Sequence, residues 1–113
     1  MPATTFSAPI LPGKTQAWKD AAQEMLGPRK NEHAESRRRL GVIREVASLQ
    51  STPQGECVVV YFEADDPDSV MPRILASDEL FDRWFAETVL KGVHGIGGPQ
   101  VPPPNQVFVD WQA

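Results

Sequence analysis

With 113 residues, 41% of them hydrophobic and 23% charged, the chain has the balance of a globular domain and enough length for one core of its own. A net charge of -4 argues against a general nucleic-acid footprint, and one cysteine excludes an internal disulfide or a Cys-based zinc site within the chain. No apolar run approaches the roughly 20 residues a membrane span needs. Met1–Ser7 lacks the basic region and apolar core of a signal peptide. A single cytoplasmic domain over residues 1–113, with no membrane partner and no nucleic-acid partner, is the expectation.

Thr4–Ile10, β-branched and aromatic, reads as a first strand ending in the turn signal Leu11-Pro12-Gly13-Lys14. Thr15 then stands as a helix cap before an apolar stripe of Trp18, Ala21, Ala22, Met25 and Leu26. Gly27-Pro28 interrupts the helix, and Pro28 is suited to the first turn of its continuation. That continuation, Arg29–Leu40, has only Ala34 and Leu40 as apolar residues; its charged side chains are spaced to meet along helix faces, and Gly41 ends it.

Val42–Gln50 reads as a second strand, with Ile43, Glu45, Ala47 and Leu49 on one face. The turn-rich Ser51–Gly55 leads into Glu56–Ala64 as a hairpin. This third strand is apolar on both sides, with Cys57, Val59 and Tyr61 opposed to Val58, Val60 and Phe62, so it belongs in the middle of a sheet. Cys57 is expected as a small buried apolar residue there. Asp65-Asp66-Pro67-Asp68 starts a second helical region, and Ser77 caps its second part. The stripe of that part is Leu80, Phe81, Trp84, Phe85, Thr88 and Val89, before Gly92 ends it. Gly92–Asn105 reads as a Gly- and Pro-rich surface connection and Val107–Trp111 as a last strand.

The order β-α-β-β-α-β predicts a ferredoxin-like α+β domain: an antiparallel four-stranded sheet with both helical regions on one face. The other face carries apolar side chains and needs a cover, for which a two-fold homodimer, sheet against sheet, is the simplest closure.

A strand ending in Pro12-Gly13-Lys14 and followed by a helix with Trp18 near its start, then Tyr61-Phe62-Glu63 and Ser77-Asp78-Glu79-Leu80-Phe81-Asp82-Arg83-Trp84-Phe85, resembles the dimeric α+β-barrel superfamily. The likeness covers nearly the whole chain and points to a bacterial branch related to antibiotic-biosynthesis monooxygenase-like proteins. The resemblance implies a pocket between helices and sheet, and a cofactor-independent oxygenase- or isomerase-like enzyme acting on a small organic molecule. The fold hosts unrelated chemistries, so a non-catalytic ligand-binding or protein-interaction dimer is the alternative.

Among the residues themselves, His33 and Arg37 lie one helical turn apart, and Glu45 and Glu63 are acids within otherwise apolar strands. Converging between helices and sheet, His33, Arg37 and Glu63 would be the catalytic candidates, with Glu45 beside them: an imidazole, a fixed positive charge and carboxylates. The simpler reading is a solvated helix with surface ion pairs. Trp18, Tyr61 and Trp84 could line an aromatic pocket, although aromatics at helical spacing are more often core. His94, just past the aromatic helix, is a further binding candidate; the plainer reading is a partly exposed histidine near a helix end. No metal site is specified by two histidines without a spaced ligand set, and Gly95-Ile96-Gly97-Gly98 lacks the Lys and Ser/Thr of a phosphate loop. No cofactor is expected.

Overall fold

The computed structural model describes residues 2–97 and 103–113. Glu56–Ala64 is the centre of the sheet, as its two apolar faces require. The strands are β1 (Ala3–Pro9), β2 (Val42–Thr52) and β3 (Gly55–Ala64), in the order β1-β3-β2 with both pairings antiparallel. The helices are α1 (Thr15–Leu26), α2 (Lys30–Arg39), α3 (Val70–Ala76, entered through the 3-10 turn Pro67–Ser69) and α4 (Leu80–Phe85), which runs on as the π-helical turn Ala86–Lys91.

Alternation along β3 sorts the two faces. Val58, Val60, Phe62 and Ala64 are buried with Phe6 and Ala8 of β1 in the core, against Val70, Met71 and Ile74 of α3 and Phe81 and Phe85 of α4. Cys57, Val59, Tyr61 and Glu63 point to the opposite, uncovered face, alongside Thr5 and Ser7 of β1 and Val46 and Ser48 of β2. Cys57 is therefore half-exposed, its Sγ 3.3 Å from Gln50 Oε1, and not the buried residue expected.

Several local expectations change in the folded chain. Thr15 is the first residue of α1, not its cap; its Oγ1 donates to Glu56 Oε1 at 2.6 Å, and Ser51 Oγ donates to the same carboxylate at 3.0 Å. The start of α1 is thereby tied to the hairpin end of the sheet. Pro28 lies in the turn between α1 and α2, not in the helix. Gly41 does end α2 in the left-handed region, at φ 73°, where a side chain would be strained. A bulge between Val42 and Arg44 moves Ile43 out of step with Glu45, Ala47 and Leu49, leaving Ile43 exposed. Leu26 and Leu80, both assigned to apolar stripes, are exposed.

Thr88 also faces outward, because the turn after Phe85 widens to π-helix and changes the phase of the stripe. Ala86, Val89 and Leu90 are the buried positions. The last expected strand is absent: Val107–Trp111 forms no strand, and among the described residues the sheet has three strands where four were expected. Asn105 already meets the outer edge of β1 at Thr5, so the residues after it find little of that strand left to pair with. Gly98–Val101 of the expected connection, with Pro102, lies outside the described residues.

Gly92 closes the π-turn with ordinary helical angles, yet a Cβ there would lie 2.6 Å from the carbonyl oxygen of Thr88. Gly→Ala in a helix normally stabilises; here we expect Gly92→Ala to destabilise by about 1–3 kcal/mol, as overpacking does. A urea midpoint equal to or above that of the native chain would show that the wide turn is not sterically required.

Candidate functional site

The sheet face under the helices does not fill completely. A chamber of about 210 Å³ remains between β1–β3 below and α1, α2 and the π-turn above. Its lining is almost wholly apolar: Phe6, Ala8, Val58, Val60 and Phe62 from the sheet, and Trp18, Ala22, Met25, Phe85, Val89 and Leu90 from the helices. His33, Glu45 and His94 are the titratable side chains on its wall.

The roof has an unusual origin. The buried residues of α2 are Ser36 and Arg37, so this helix has no apolar face with which to dock. What docks it is a partly buried hydrogen-bond network centred on Glu45. Arg37 forks onto both carboxylate oxygens, Nε to Oε1 at 2.8 Å and Nη2 to Oε2 at 3.1 Å, and His33 Nε2 lies 2.9 Å from Oε1. The guanidinium also lies over the Phe85 ring, 4.9 Å from its centre.

Burial opposes ionisation of Glu45, but the hydrogen bond from His33 and the charge and hydrogen bonds of Arg37 outweigh it and hold the carboxyl at about 2. An ionised carboxylate only accepts hydrogen bonds, so His33 Nε2 is the donor. A neutral His33 ring then keeps its lone pair on Nδ1, which has no hydrogen-bond partner among the described residues.

The network continues away from the chamber. Arg37 Nη1 donates to Ser36 Oγ at 3.1 Å, and Ser36 Oγ donates to Asp82 Oδ1 at 2.5 Å. Asp82, 2% exposed, also accepts from Ser77 Oγ at 2.7 Å and Arg39 Nη2 at 3.2 Å. Burial resists, yet Ser36, Ser77 and Arg39 together hold its carboxyl below the usual range. No buried side-chain polar atom among the described residues lacks a partner.

Of the expected catalytic set, the fold unites His33 and Arg37 with Glu45. It separates Glu63, which lies opposite Arg44 on the uncovered face and never approaches the chamber. Arg37 is buried and fully engaged by Glu45, so it is not a free positive charge for a ligand. Trp18 lines the chamber; Trp84 does not, being packed on Phe81 with centroids 5.5 Å apart and covered by the Arg29 guanidinium at 4.4 Å. Tyr61 stands on the uncovered face, where desolvation and the Glu63 carboxylate push its phenol up.

His94 does reach the chamber. Its Nδ1 donates to the carbonyl of Pro9 at 2.8 Å, and burial pushes the imidazole down despite that bond, favouring the neutral ring. Ser36 and Asp82 were not found by spacing. Ser77 is not the cap of α4, whose N-cap is Glu79; it ends α3, accepting from the Glu79 amide at 3.2 Å while donating to Asp82. Among the described residues no three His, Cys, Asp or Glu side chains are grouped to hold a metal ion.

A carboxyl whose folded value is depressed from 4.5 to about 2 stabilises the fold above pH 4.5, and that contribution fades as pH falls towards 2. Asp82 acts in the same sense. Glu45→Gln should remove part of this acid dependence and, by leaving Arg37 buried without a counter-charge, cost about 3–5 kcal/mol at neutral pH. Urea midpoints measured from pH 2 to pH 7 for both chains test this; parallel curves would contradict the assignment. No protein-family model, curated protein or solved structure matches the chain, so its function is argued from the chamber itself.

Proposed function

We propose that the chain binds a small, largely apolar organic molecule in the chamber under α2 and moves a proton on it through His33, as a cofactor-independent isomerase- or oxygenase-like enzyme. The observation that carries this reading is the Glu45-bound imidazole of His33 on the wall of an otherwise apolar chamber. A carboxylate behind an imidazole fixes its tautomer and offsets the charge that appears when the ring takes a proton. Here Glu45 is shared with Arg37, so the base is held firmly but its carboxylate is already partly neutralised.

The balance of charge also speaks to the ligand. Glu45 and Arg37 cancel, and neutral His94 adds no charge, so nothing free on the wall attracts an anion. The chamber of about 210 Å³ is below the roughly 300 Å³ at which drug-sized pockets begin, which suits an uncharged molecule of about two fused rings with one polar group. In this reading His33 removes an acidic C–H proton in the apolar chamber, the step common to enolisation and to cofactor-free oxygenation.

The alternative is a passive binding pocket. Its support is that the Glu45 network is fully satisfied within the protein and already has a task, docking α2.

The remainder of the proposal concerns assembly and location. The order β1-β3-β2 corresponds to three of the four strands of a ferredoxin-like sheet, and the uncovered face bearing Val46, Val59 and Tyr61 suits self-association as a homodimer. A half-exposed free thiol at Cys57 suits the reducing cytoplasm.

2-Tetralone, a neutral two-ring ketone with enolisable protons, is a suitable probe. It should quench Trp18, and its α-protons should exchange with D2O faster in the presence of the native protein. His33→Gln keeps a donor for Glu45 but has no base, so binding should persist while exchange falls about 100-fold or more. Binding without accelerated exchange favours the passive pocket, and failure to quench Trp18 overturns both readings.

A further inference from the structure

The segment Val107–Trp111 is written as a strand and is not one. Val107, Phe108, Val109 and Trp111 are large apolar side chains at 48%, 86%, 85% and 79% exposure. A contiguous run of this kind marks a surface that is covered in use.

The register explains why the chain's own sheet cannot cover it. Ala64 N donates to Pro2 O and Ile10 N to Glu56 O, so the even-numbered residues of β1 turn their backbone groups towards β3. Ala3, Thr5, Ser7 and Pro9 therefore turn theirs to the outer edge. There, Asn105 makes one rung: its amide donates to Thr5 O at 2.7 Å and its Nδ2 to Thr5 Oγ1 at 3.1 Å. His94 meets this edge at Pro9 and the later Asn105 meets it at Thr5, an order opposite to that of β1. Continued in that register, Val107 would face Ala3 and Phe108 would face Pro2, where β1 runs out. The fourth strand starts too late to find a template.

The segment also lies on the uncovered side of the sheet, since Asn105 engages the Thr5 hydroxyl there and the Asp110 charge reaches Tyr61. We propose that Val107–Trp111 is an exchanged arm that grips a second copy of the chain, seating its apolar side chains against the partner's uncovered sheet face around Val46 and Val59. This rests on the self-association read above. A second copy fits best among occupants. Two-fold pairing lets each arm cover the face that the other copy leaves open, and an apolar segment of strand composition is matched to an open face that carries Val46 and Val59. A lipid surface is poorly matched, because the face also carries Arg44 and Glu63 and the arm carries Asp110.

Sedimentation velocity on the full chain, on a chain ending at Gln106 and on Val109→Lys tests the arm. The full chain should dimerise, and both variants should raise the dissociation constant by about thirtyfold or more, the loss typical of removing a buried anchor at an interface. Trp111, identified by difference from Trp111→Phe, should shift its emission to the blue as the full chain associates. Since Val107–Trp111 lies outside the core, 2-tetralone quenching of Trp18 should survive the truncation, which confirms that the shortened chain is folded. A truncated chain that dimerises as tightly as the full one overturns the arm and keeps the dimer. A full chain that remains monomeric at high micromolar concentration overturns both.

Discussion

The ion pair between Arg37 and Glu45 is the constraint on which the rest of this domain depends. Helices usually dock by burying an apolar stripe, and α1, α3 and α4 do so. α2 cannot, since its inward residues are Ser36 and Arg37. Its attachment is a guanidinium forked onto a carboxylate of β2, backed by the Phe85 ring and carried on through Ser36 to Asp82 of α4. A buried pair of this kind adds little net stability compared with apolar packing, but losing one partner is costly, and it fixes one arrangement of helix on sheet. Here that arrangement holds His33 on the wall of an otherwise apolar chamber.

A roof held at fixed height by directional bonds has a consequence that a greasy roof would not. Apolar helices settle onto a sheet until their side chains interdigitate and the space between closes. α2 is stopped by the lengths of its hydrogen bonds, and its one ring over the chamber, His33, is held by the same carboxylate that stops it. The π-turn helps from the opposite side: its wide turn presents Val89 and Leu90 to the chamber and brings His94 back to the carbonyl of Pro9. Chamber and base therefore have one cause. The network that leaves the space open is the network that sets the tautomer of the imidazole facing it.

The central place of β3 was legible in the chain because the strand is apolar on both sides, a pattern with few structural solutions. Trp18, His33, Glu45 and His94 were legible as residues of interest, but their grouping was not. Glu45 and Glu63 look alike in sequence, each an acid within a strand. The paired register and the bulge at Val42–Arg44 send one under α2 and the other to the uncovered face. Asp82 was hidden for a different reason. It sits beside Phe81 in an aromatic stripe and takes its partners from Ser36, Ser77 and Arg39, two of them more than 40 positions away, a relation no local spacing encodes. The fourth strand was misread because Val107–Trp111 has the right composition, whereas its failure is a matter of where β1 ends.

The two faces of the sheet thus divide the work in a way that follows from strand alternation alone. Each residue of β3 either closes the chamber or meets the solvent side, so the same three consecutive pairs, Val58 and Val59, Val60 and Tyr61, Phe62 and Glu63, serve both at once. A partner seated on the uncovered face would press on the backs of the residues that floor the chamber without touching the chamber itself. The link between assembly and ligand would then be mechanical, passing through the rigidity of a central strand and not through any shared side chain. Stiffening β3 by covering its second face would hold Glu45 and His33 in register with the floor. A bare three-stranded sheet, with an edge on either side, would hold them less firmly.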